Sequence, residues 1–148
     1  MKDNKNIGLW DVLGSLGQLT GVPDKHIKRH QYQDPYNRNM FVNTYTIEFF
    51  GPVPVSYYNN SGEAFYGCIV IDSKYERLKD GTTKDTFDYS VVVEDPPYGA
   101  MVTVKSRKDF EEKDLKDILR EVTKVYKAQY ERLKSDYGSV KSCEISKS

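Results

Sequence analysis

Several patterns are missing from this chain, and each absence narrows what it can do. With 2 cysteines among 148 residues, Cys68 and Cys143, there is no disulfide framework of the kind that staples small secreted domains, and a reducing, cytoplasmic setting is expected. No apolar run approaches the ~20 residues of a membrane span. The stretch after Met1 and KDNKN is broken by Asp11 and four glycines, so neither a secretory leader nor an anchor is read there. Charge of one sign is missing too. The balance of 22 basic and 22 acidic residues removes the whole-molecule field that draws a protein to nucleic acid or an anionic membrane, so an electrostatic partner must be met by a local patch.

Catalytic signatures are equally scarce. There is no Gly-rich phosphate loop, no GxSxG elbow and no HExxH. Cys68, inside GCIVI, reads as a small buried apolar residue rather than a reactive thiolate. Glu48, Asp72, Asp88 and Glu94 fall on expected strands, yet nothing in the sequence brings two of them to one pocket, and alternation sets Glu48 and Asp88 on solvated faces. His26 and His30 are spaced i, i+4, which on a helix could reach one metal ion; with no further His and no nearby Cys, no metal site is assigned. No catalytic residue and no cofactor is assigned either.

What is present begins with DFEEKDLKDILREVTKVYKAQYERLKSDYG, residues 109–138. Leu115, Ile118, Leu119, Val122, Val125, Tyr126, Leu133 and Tyr137 recur at the spacing that lines one helix face with apolar groups. Asp109 is placed to cap this helix, with Glu112 closing a capping box, and Gly138 is placed to end it. Lys113, Lys116, Arg120, Lys124 and Lys127 form a basic ridge away from that stripe, suited to phosphates or an acidic protein face, and equally to plain solvation. A shorter amphipathic helix is expected over Ile7 to Leu19. Gly14 and Gly17 weaken it by ~1 kcal/mol each, so it should depend on packing against the sheet; docking on a partner through Trp10 is the alternative.

Between the helices, FVNTYTIEFF alternates as a strand should, with Phe41, Tyr45, Ile47 and Phe49 facing one way. GPVP then ends regular pairing, Val55 to Tyr58 can continue only as an edge segment, and the polar run from Asn59 turns the chain back. AFYGCIVI reads as a central strand. Lys79-Asp80-Gly81 reads as a three-residue hairpin loop, whose register opposes Glu76 to Lys84, Ile71 to Tyr89 and Ile69 to Val91. Met101 to Lys105 makes a short last strand. The expected fold is α+β: an antiparallel sheet of four to five strands, with a short N-terminal helix and a long C-terminal helix packed on one face. Residues 1–138 form a single domain, and the polar tail 139–148 is expected to be disordered.

Contact groups concentrate in two loops. Val22 to Asn39 is read as an exposed connection in which Tyr32, Tyr36 and Arg38 have no evident core role, and Asp95 to Gly99 presents Tyr98 between Pro97 and Gly99. The 12 tyrosines exceed what a core of this size requires, which sets some rings at the surface. The small size, the Lys/Asn/Tyr-rich segments NNSGEAFYG and DPYNRN, and the missing enzyme motifs resemble the accessory and inhibitor proteins of Gram-positive phages and mobile elements, anti-CRISPR proteins among them. The resemblance implies a protein that binds a CRISPR effector nuclease and blocks DNA entry or a nuclease domain; it rests on character rather than positions and carries no residue over. Neutral charge departs from the acidic DNA mimics of that group and favours surface occlusion. The expected partner is therefore a larger protein or ribonucleoprotein, with no membrane, bound through Tyr32, Tyr36, Arg38, Tyr98, Lys116, Arg120, Lys124 and Lys127. The alternatives are nucleic-acid binding by the basic ridge with KHIKRH, and a small nucleotide-acting enzyme.

Overall fold

The hairpin at Gly81 sets the register of the central sheet. Leu78 N–H donates to the Thr82 carbonyl at 2.8 Å, closing a loop of three residues in which Gly81 takes φ 90°. Glu76 then faces Lys84, Ile71 faces Tyr89 and Ile69 faces Val91, as the charge and apolar pairing predicts. The structure, a computed structural model, describes residues 7–53, 62–95 and 99–147, with side chains described as far as Gly138.

Five antiparallel strands follow one another across the sheet in chain order: β1 (Lys28–Gln33), β2 (Met40–Pro52), β3 (Glu63–Arg77), β4 (Thr83–Asp95) and β5 (Ala100–Phe110). Helices α1 (Leu9–Thr20) and α2 (Leu115–Lys147) contribute to one apolar core on the same face. The molecule is α+β. Val12, Leu13 and Leu16 of α1 and Ile118, Val122 and Leu133 of α2 close over Ile47, Phe49, Ile69, Ile71 and Val91, all of them buried. None of the described helices is long and apolar enough to cross a membrane.

A tyrosine seam joins α2 to the sheet. Tyr66 lies parallel to Tyr137 with centroids 5.2 Å apart, and Tyr126 meets Phe49 edge-on at 4.8 Å. Gly51 makes room for it, since a Cβ there would collide with the Tyr66 ring, whose hydroxyl donates to the Pro52 carbonyl. Tyrosine is thus a core residue here as much as a surface one: Tyr45, Tyr66, Tyr89, Tyr126 and Tyr137 are buried.

The backbone departs from the sequence expectations in four places. Lys28–Gln33, expected to be an irregular connection, is a strand, all six residues exposed and paired to β2. The last strand runs to Phe110 rather than Lys105. Asp109 does not cap α2, which begins at Leu115 after a 3-10 turn at Glu112–Asp114; Asp109 takes φ 65° inside β5. At the far end the helix backbone passes through Gly138 and on to Lys147, past the marked stop and through the segment expected to be disordered. Glycine permits a left-handed stop without compelling one, and Gly138 does not take positive φ. Val55 to Ser61, read as an edge segment and turn, lie outside the described residues.

Candidate functional site

The structure divides the predicted contact residues between opposite edges of the sheet. Tyr32, Tyr36 and Arg38 come together at the β1–β2 hairpin. Its loop is shaped by the Asp34 carboxylate, which accepts from the N–H groups of Tyr36 at 2.7 Å and Asn37 at 3.1 Å. Asn37 in turn accepts from Asn39 N–H and donates to Glu76 at 3.0 Å, while Gln33 donates to the Arg38 carbonyl at 2.6 Å. All but the Asn37–Glu76 bond tie a side chain to the backbone and so fix its direction. Tyr36, carried on this frame, is 97% exposed, and Tyr32, stacked with His30, is 41% exposed. His26 lies in a 3-10 turn and His30 on β1, so the two do not share a helix face. Among the described residues no cluster of His, Cys, Asp and Glu is placed to hold a metal ion.

Arg120 and Lys124 stand at the other edge, where a groove of about 590 Å³ runs between β5 and α2. Val104, Val125 and Ala128 line it with apolar surface; Lys105, Arg107, Arg120 and Lys124 give it positive charge. Glu121 sits at the centre, accepting from the Tyr89 hydroxyl and from the Arg107 guanidinium, both at 2.6 Å. Burial acts to raise the Glu121 pKa, but those two donors and the nearby Lys105 hold it below the usual value; the same carboxylate, with burial first, pushes the Tyr89 hydroxyl well up. Arg120 is paired to Asp117 at 2.7 Å, whereas Lys105, Lys124 and Lys127 form no ion pair among the described residues. Lys113 belongs to the 3-10 turn and pairs with Glu111 at 3.6 Å, and Lys116 is half-buried, so the continuous ridge read from the sequence is neutralised at its N-terminal end.

A third gathering of charge lies on the face of the sheet opposite the helices. Register places Thr44, Asp72 and Asp88 in one row across β2, β3 and β4. Lys74 bridges Asp88 and Asp109 at 2.9 Å each, and Asp88 accepts from the Asp109 N–H at 2.9 Å. This cluster fixes a left-handed aspartate in the strand. Burial pushes Asp72 up against the pull of its Thr44 bond, and Lys74 holds Asp109 down; on Lys74 itself burial is outweighed by the two carboxylates, which raise it. The sequence places Asp88 on a solvated face; the side chain is instead 14% exposed.

Tyr98 lies outside the described residues. Lys105 and Arg107 join the groove without having been singled out in the sequence, because β5 was expected to end where its charged half begins. Lys105 and Arg107 alternate toward the helix side as charged rather than apolar residues, and a bulge then turns Asp109 to the opposite face. No protein-family model, no curated protein and no solved structure matches this chain.

Proposed function

We propose that this protein is a small non-enzymatic binding protein that occludes a functional surface of a larger protein or ribonucleoprotein. The observation that carries this reading is the β1–β2 hairpin, in which a network of side-chain-to-backbone bonds fixes the backbone beneath a 97% exposed tyrosine. A ring in water adds nothing to the core, and ordering the loop backbone that carries it lowers the entropy cost of burying it against a partner. The resemblance in composition makes a CRISPR effector nuclease the first target to assay. Titrated against it, the protein should give full inhibition at about one copy per target; full effect far below equimolar protein overturns the reading. Tyr36→Ala should weaken binding about thirtyfold, ~2 kcal/mol, at an unchanged melting temperature.

A second reading, nucleic-acid binding through the α2 ridge, is favoured by Lys124 and Lys127, which form no ion pair among the described residues. It requires affinity that falls steeply with salt, and a flatter slope when Lys124 and Lys127 are both neutralised.

A further inference from the structure

β5 is an edge strand eleven residues long, and among the described residues no strand pairs with its outer side. Along that side the backbone groups not bonded to β4 point outward, beside the groove formed with α2. An open edge with a groove alongside can take an extended segment as one more strand, backbone bonding to backbone and alternate side chains settling into the groove. The groove's chemistry selects the segment. Its apolar lining of Val104, Val125 and Ala128 takes aliphatic side chains, and Val102, 43% exposed, prolongs that strip along β5. Arg107 and Arg120 are already paired to Glu121 and Asp117, leaving Lys124, and Lys105 beside Glu121, as the groove cations without an ion pair among the described residues.

We propose that the β5–α2 groove binds an extended acidic segment of a partner protein, Asp or Glu alternating with aliphatic residues, added to β5 as a sixth strand. This rests on the reading of the chain as a protein-binding protein and names the chemistry of one partner segment. A second copy of this chain fits poorly. Lys105, Arg107 and Lys108 would face their own like charges across a self-pair. A peptide strand fits better than a phosphate backbone, because an open strand edge presents both N–H donors and carbonyl acceptors, and a peptide backbone answers both whereas a phosphate chain offers acceptors alone.

The test is selection from a displayed library of random peptides, followed by amide chemical-shift mapping with the purified winners. The expected winners alternate acidic and aliphatic residues and shift the amides of residues 100–107. Methylating alternate peptide nitrogens, which removes strand hydrogen bonds but keeps charge, should abolish binding, and Lys105→Glu or Lys124→Glu should each weaken it at least tenfold at an unchanged melting temperature. Lys105→Gln and Lys124→Gln should give a smaller loss in the same direction. Winners without acidic enrichment, winners that shift the Tyr36 hairpin instead, or full binding by the methylated peptide overturn the proposal. A single-stranded oligonucleotide that shifts the same amides and displaces the peptides also overturns it, in favour of nucleic acid. Tyr36→Ala leaves the groove intact and should bind the peptides normally, so failure here removes the groove assignment alone, while the stoichiometry of nuclease inhibition decides the wider reading separately.

Discussion

The β1 edge is six exposed residues held by pairing to β2 and by bonds inside its own hairpin, whereas the β5 edge is fastened from beneath. On β5, Phe110 stacks on Tyr89 with centroids 5.8 Å apart and carries the Arg107 guanidinium over its ring at 4.8 Å; Arg107 then reaches Glu121 on α2. One edge is rigid without being buried. The other is rigid because the core and the long helix hold it. Local bonding thus suffices to present a surface, while apolar anchoring couples a surface to global stability.

The difference should be largest at the rings. Phe110→Ala removes a buried aromatic and should cost about 3 kcal/mol, read from denaturant melts, whereas Tyr32→Ala should stay within about 0.5 kcal/mol. Equal losses at the two positions would erase the distinction between the edges. A smaller effect is expected where β5 meets α2. Glu121→Ala leaves the buried Tyr89 hydroxyl without its acceptor and should cost about 1.5 kcal/mol; Arg107→Ala should cost less, because that guanidinium is half exposed and solvent screens its pairing. If the two substitutions cost the same, the ion pair rather than the Tyr89 bond is what joins the strand to the helix.

Acid should act on the β5 edge most gently of all. Glu121 and Asp109 titrate below their ordinary values, so their contributions are complete above the unfolded carboxylate range, ~4, and are lost as pH falls toward the folded values. Asp72, pushed up by burial, has the opposite sign and gains by protonation. Glu121→Gln should therefore flatten the acid limb of a stability profile, and an unchanged limb would assign the acid sensitivity elsewhere. In alkali the seam between sheet and helix should give way. Burial with Tyr130 nearby lifts Tyr66 to about 12, so its stabilisation is complete below the free tyrosine value, ~10, and falls as pH rises toward 12. Absorbance at the tyrosinate band should show this phenol ionising only as the chain unfolds.

How much of this was legible depended on whether an element's stability is written in its own residues. The β3–β4 register was legible because a glycine turn and a charge pair agree with the apolar pairing. So was the α2 face, since Ile118, Val122, Leu133 and Tyr137 are all fully buried. β1 was not, because KRHQYQ buries nothing and forms a strand only because β2 offers it an edge. The start of α2 was misplaced for a related reason: Asp109 and Glu112 have the chemistry of a cap, but Lys74, distant in sequence, binds Asp109, and Phe110 is needed against Tyr89. Of the candidate site, the Tyr36 hairpin was legible as a solvent-facing segment. The β5 half of the groove was not, since it depends on how far an exposed strand continues.

Trp10 is the sole tryptophan, and it overhangs α1 at 67% exposure with its ring edge-on to Tyr45, centroids 5.5 Å apart. The native fluorescence of this protein is therefore already that of an indole in water, and unfolding will move its emission little. Near-ultraviolet dichroism from the packed tyrosines will instead follow the loss of the core. The same indole becomes a built-in sensor of location: a partner landing on α1 will shift the emission to the blue without any label, and one that docks on the β5 edge will leave the spectrum still.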